Sequence, residues 1–129
     1  MIYLDTSVVL AQLLAEDRRP PVSIWQETLV SSRLLEYETW NRLNARGLGK
    51  SHGDIARELL QRIAFVELAP TVLARALETF PLPARTLDAM HLASLEFLRG
   101  QGQRVSLASY DVRMTAIAQR MGVPVFELS

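Results

Sequence analysis

The sequence predicts an α/β chain built on a mainly parallel sheet with helices on both faces, and three observations carry that prediction. Short apolar runs of strand length recur at residues 2–5, 28–31, 64–68, 104–109 and 124–128. Segments with helical spacing of apolar residues separate them, and strands joined through helices pair in parallel and are covered on both sides. Acids then stand directly after two of the runs: Met1-Ile2-Tyr3-Leu4 leads into Asp5, and Val105 to Tyr110 leads into Asp111. Those are carboxyl ends of strands, where open α/β sheets bind ligands.

The helices follow in order. Residues 7–16 repeat apolar residues on one side, and Pro20-Pro21 ends that segment and starts a short helix through residue 27. Residues 32–46 form the next, closed by Gly47 and Gly49. Ser51-His52-Gly53-Asp54 reads as a capping box before a helix over 55–63. Helices over 71–79, 86–99 and 111–121 complete the set, with Gly100 and Gly122 as stops.

The 129 residues fit one domain, and 49% hydrophobic content argues against disorder. No apolar run approaches a membrane span, and the N-terminus lacks the basic leader of a signal peptide. With no cysteine, disulfides and thiolate metal sites are excluded, and a reducing cytoplasm is the expected setting. Zero formal net charge means no global field draws the chain to nucleic acid or membrane. Thirteen of the 14 basic residues are arginine. That bias suits phosphate contacts, and genome base composition produces it equally well.

Three of the five aspartates occupy strand ends or an apolar helix face: Asp5, Asp111, and Asp88 in Leu87-Asp88-Ala89-Met90-His91-Leu92. Gathered carboxylates repel one another and resist desolvation, so a fold that collects them calls for a cation with oxygen ligands. Each acid also has an ordinary reading: Asp5 and Asp111 as helix N-caps, Asp88 as a first-turn charge on the helix dipole. Glu38 shares a helix face with Leu34 and Leu35, whereas Glu36 points to solvent. Glu38 reads either as a fourth ligand or as half of a core-edge ion pair with Arg42.

Among the neighbours, His91 follows Asp88 by one turn and either touches a substrate phosphate or satisfies a carbonyl in the core. Ser7 and Ser109 either orient the nearby carboxylates or act only as caps. Trp25, Trp40 and the methionines read as core or interface filler. No glycine-rich phosphate loop or nucleophile elbow is present, and two histidines without cysteine do not make a zinc site. Receiver-type and dehalogenase-type phospho-aspartyl patterns fail for want of the acidic pair and of a second aspartate where Ser7 stands.

Tyr3-Leu4-Asp5-Thr6-Ser7, Ser32-Arg33-Leu34-Leu35-Glu36-Tyr37-Glu38, Leu87-Asp88-Ala89-Met90-His91-Leu92-Ala93 and Ser109-Tyr110-Asp111-Val112-Arg113-Met114 together resemble PIN domains. More narrowly, they resemble the VapC-type toxin ribonucleases of bacterial toxin–antitoxin pairs. The resemblance spans the chain in order and spacing. It implies one PIN-like domain over residues 1–129, a three-layer α/β/α sandwich around a mainly parallel five-stranded sheet. It implies a catalytic quartet of Asp5, Glu38, Asp88 and Asp111, with Asp5, Asp88 and Asp111 holding Mg²⁺ or Mn²⁺. Ser7, His91, Ser109 and Arg113 would support these acids or meet RNA. The implied activity is endonucleolytic hydrolysis of RNA phosphodiesters by a cytoplasmic toxin. A small cognate antitoxin and homodimerisation through first-half helices go with it. The competing reading is a non-catalytic PIN-like module that binds RNA or protein.

Overall fold

The computed structural model describes residues 1–15 and 17–128. Four strands, β1 (Ile2–Leu4), β2 (Leu29–Ser32), β3 (Ile63–Val66) and β4 (Ser106–Ala108), form one parallel sheet in the order β3-β2-β1-β4. The helices are α1 (Thr6–Leu14), α2 (Arg33–Ala45), α3 (Gly49–Leu60), α4 (Pro70–Ala76), α5 (Thr86–Gly100) and α6 (Val112–Arg120), with a 3-10 turn at Val22–Gln26.

Strand side chains alternate between two cores. Ile2, Leu4, Leu29 and Ile63 pack with Val8, Val9, Leu35, Leu43 and Leu59 from α1, α2 and α3. Tyr3, Val30 and Leu107 pack with Leu92 and Leu95 of α5 and Met114 and Ile117 of α6 on the other face. The sheet is therefore covered on both sides, as its apolar runs predict. No helix is long and apolar enough to cross a membrane among the described residues.

Two expectations are corrected. The predicted fifth strand at 124–128 contributes only a single parallel bridge, Leu107 to Val125. Leu107 N–H donates to the Pro124 carbonyl and Phe126 N–H to the Leu107 carbonyl. Pro124 has no N–H with which to extend the ladder. Ser51 and Asp54 do not cap a helix either. They lie inside α3, which begins at Gly49 with Leu48 at its N-cap, and Asp54 pairs with Arg57 one turn on. The predicted end of the first helix at Glu16 lies outside the described residues.

From β1 the chain winds to β2 and β3 on one side, then returns to place β4 against the other edge of β1. The switch between the β1 and β4 ends opens a crevice at their carboxyl termini. Asp5 follows β1 and Asp111 follows β4, so the topology alone brings them to one place.

Candidate active site

A cleft of about 640 Å³ opens at this switch point, and its wall contains Asp5, Glu38, Asp88 and Asp111 together. Each acid arrives on a different element. Asp5 ends β1, Glu38 lies on the second turn of α2, Asp88 on the first turn of α5, and Asp111 caps α6.

Asp5 is 7% exposed and stands at the N-cap position of α1, yet its side chain makes no capping bond. Its Oδ2 instead accepts from Ser7 Oγ and Ser109 Oγ, both at 2.7 Å. Those hydroxyls accept in turn from Tyr110 N–H at 3.0 Å and Asp111 N–H at 2.9 Å. The loop after β4 is thereby tied to the end of β1, and both serines orient a carboxylate rather than merely capping.

Asp111 does cap α6: its Oδ1 accepts from Arg113 N–H and Met114 N–H. Its capping and cleft-lining positions are compatible, because the cap engages only one oxygen. Glu38 Oε1 accepts from Thr6 Oγ1 and from His91 Nε2, each at 2.7 Å. The ion pair with Arg42 is not formed. Glu36 instead faces Arg33 at 3.5 Å, away from the cleft.

Asp88 differs from the other three. Its Oδ2 is buried without a hydrogen-bond partner, and the only ion pair it makes, among the described residues, is to Arg85 Nε at 3.7 Å. Burial, then the charges of Asp111 and Asp5, push its carboxyl above the usual carboxylate range, and Arg85 offsets part of that. Three acids thus each tie one oxygen to protein donors and leave the second untied by any described residue. The fourth carries an orphaned buried oxygen.

This donor set fits a hard divalent cation, which takes carboxylate oxygens and neutralises their repulsion. Among the described residues the acids share the cleft without closing into a ready coordination cage of three or more.

His91 is buried at 2% exposure behind Glu38, and in place of the core carbonyl that the sequence offers as one of its two readings its ring nitrogens meet the side chains of Glu38 and Tyr3. Its Nδ1 lies 2.8 Å from Tyr3 Oη. Arg113 is exposed and is not part of the cleft wall; the arginines that line the cleft are Arg42 and Arg85. Sequence reasoning missed their placement, although Arg85 lies three residues before Asp88 and Arg42 four after Glu38, one helical turn in each case. It also missed Thr6, whose hydroxyl beside Asp5 was the available signal. Trp25 and Trp40 pack against the core rather than standing free, and Arg57 stacks 5.0 Å from the Trp40 ring.

Comparison with known proteins identifies the family. Residues 2–124 match the PIN domain family. The chain is 31% identical over 127 residues to Ribonuclease VapC46 of Mycobacterium tuberculosis, covering 96% of this chain and 95% of that protein. Its fold is similar to the crystal structure of Mycobacterium tuberculosis VapC20, described as a toxin that cleaves the sarcin–ricin loop. The TM-score is 0.67 at 21% identity, over 90% of this chain and 94% of that one. With four acids gathered at the switch point of a parallel sheet and a family match along nearly its whole length, the chain belongs to the PIN-domain family, among its VapC-type members.

Proposed function

We propose that this chain is a divalent-metal-dependent endoribonuclease, the toxin of a type II toxin–antitoxin pair. The observation that carries the reading is the convergence of Asp5, Glu38, Asp88 and Asp111 on one cleft with an untied or orphaned oxygen on each. Asp5, Asp88 and Asp111 would hold Mg²⁺ or Mn²⁺, with Glu38 completing the set. When bound, such a cation supplies charge neutralisation at the phosphate and lowers the pKa of water.

The chain's own residues do the remaining work. Ser7 and Ser109 hold Asp5 in one orientation, and Thr6 and His91 do the same for Glu38. Arg42 and Arg85, rather than Arg113, stand where an RNA backbone enters, and their fixed charge offsets the repulsion between phosphate and the acids. Neutral net charge is compatible with this, since the attraction is local.

The same reading takes residues 1–129 as one PIN-like domain in the cytoplasm, held inactive by a small cognate antitoxin. A homodimer through first-half helices is supported by exposed Tyr37 on α2 and Ile55 on α3, at 66% and 61%. The test is cleavage of RNA by the isolated protein with Mg²⁺ or Mn²⁺, with EDTA, and with Asp5→Asn. The expected result is cleavage that requires the cation and falls at least 100-fold in the variant. Cleavage indifferent to both would overturn the reading. Cation-independent RNA binding without cleavage would favour the non-catalytic module.

A further inference from the structure

His91 is a buried titratable group that the proposed chemistry does not use directly, and both of its ring nitrogens are engaged. The Glu38 carboxylate can only accept, so His91 Nε2 carries the proton and donates it to Glu38 Oε1 at 2.7 Å. A neutral ring then takes the Tyr3 phenol proton at Nδ1, 2.8 Å away, while Ser32 N–H donates to Tyr3 Oη at 3.1 Å. The two rings meet edge to face at 86° with centroids 5.8 Å apart, which fixes the plane of the imidazole.

We propose that Tyr3 and His91 are a positioning pair for Glu38, turning its Oε1 inward and presenting Oε2 to the cleft. The inference rests on the nuclease reading above and deepens it. A glutamate on the second turn of a helix ordinarily samples many rotamers. Glu38, with its side chain 24% exposed, is instead held by two donors from other elements, Thr6 and His91.

The chain of bonds runs from the end of β2 through the middle of β1 to α5, and from there to α2. Every link is anchored on regular secondary structure. Phenylalanine at position 3 and leucine at position 91 would fill the same buried space without a phenol or an imidazole to satisfy, so filling space does not account for the pair. His91 also lies one turn after Asp88. Helix α5 therefore contributes an acid to the cleft and, from its buried side, fixes a second acid contributed by α2.

The experiment uses the full chain and Mn²⁺ alone as the probe, titrated calorimetrically, with melting temperature and RNA cleavage recorded in parallel. His91→Leu is expected to weaken Mn²⁺ binding about 10- to 100-fold, the range for partners that orient metal ligands. His91→Gln keeps an amide N–H within reach of Glu38 and is expected to recover most of that loss, and Tyr3→Phe to lose a few-fold. In a Glu38→Ala background, His91→Leu should cause no further loss. Leu92→Ala, which disturbs the same core without touching Glu38, should bind Mn²⁺ as the wild type does.

Wild-type binding by folded His91→Leu, the same loss in Leu92→Ala, or a full further loss on top of Glu38→Ala would each overturn the positioning role. If His91→Leu does not fold, Tyr3→Phe decides, and wild-type affinity in it overturns the role. A wild-type protein that binds no Mn²⁺ overturns the nuclease reading as well. Wild-type binding with unaffected variants removes the positioning role alone.

Discussion

Ser109 Oγ donates to Asp5 Oδ2 at 2.7 Å across 104 positions of sequence. The contact joins the ends of β1 and β4, the two strands that flank the switch point. The same hydroxyl accepts Asp111 N–H at 2.9 Å, so one small side chain sets the positions of two acids at once. Ser7 mirrors it from the first turn of α1, and the two serines leave Asp5 Oδ1 as the oxygen available to the cleft.

Replacing Ser109 by alanine should therefore cost more than replacing Ser7. Ser109 is buried, and its loss removes a hydrogen bond to a charged oxygen and strands a backbone N–H. About 2 kcal/mol of unfolding free energy is expected to be lost. Ser7 is half-exposed, water can substitute, and about 1 kcal/mol is expected. Denaturant unfolding of both variants checks the order, and a smaller loss for Ser109→Ala would contradict it.

Asp88 predicts a pH dependence of stability. Its folded carboxyl holds a proton to higher pH than the ordinary value of 3.8, because burial and the charges of Asp111 and Asp5 disfavour ionisation. Between 3.8 and the raised folded value the native state binds more protons than the unfolded chain, so stability falls as pH rises through that window. Above the window the penalty is fully present. In EDTA at pH 7, Asp88→Asn is expected to melt a few degrees higher than the wild type. That advantage should shrink on acidification and vanish below pH 3.8. Thermal melts across pH decide it, and a variant less stable than the wild type at pH 7 would refute the account.

Glu36 and Glu38 are two residues apart and should behave oppositely. Glu38→Gln removes an acid from the cleft and is expected to lower cleavage at least 100-fold. Glu36→Gln breaks only a half-exposed contact with Arg33 and should change rate by less than twofold, with stability altered by about 0.5 kcal/mol or less. Single-turnover kinetics on one RNA substrate separates them.

Arg42→Ala and Arg85→Ala are expected to weaken RNA binding across substrates and to flatten its salt dependence. Each lost phosphate contact to single-stranded RNA should reduce the slope of log K against log salt by about 0.7. Arg113→Ala should leave the slope unchanged, since Arg113 is not in the cleft wall. Salt titrations in an Asp5→Asn background, which blocks turnover, provide the measurement. An Arg113 effect equal to that of Arg85 would move the RNA path to the α6 side.

Much of the fold was legible because its signals are local. Four apolar runs become β1 to β4, and their spacing by helices dictates a parallel sheet. Acids directly after two of the runs mark the ligand edge without knowledge of any contact. The run at 124–128 misled because apolarity reports burial rather than pairing: among the described residues no backbone bond to β4 follows Phe126, and Pro124 has no N–H to extend the ladder the other way. The supposed cap at Ser51 misled for a related reason. The turn at Gly47, with φ of +68°, already directs the chain into α3 two residues later.

By itself, the sequence determined the residue types, their places at strand ends and helix turns, and hence that Asp5 and Asp111 share an edge. Tertiary structure alone decided which oxygen of each acid is tied, that Asp88 keeps an orphaned oxygen, that His91 stands behind Glu38, and that Arg42 and Arg85 rather than Arg113 face the cleft. Periodicity tells which face of a helix is turned inward. It carries no information about what lies opposite, and partners such as Ser109 and Asp5 or His91 and Tyr3, 104 and 88 positions apart, meet only once the sheet has closed its order.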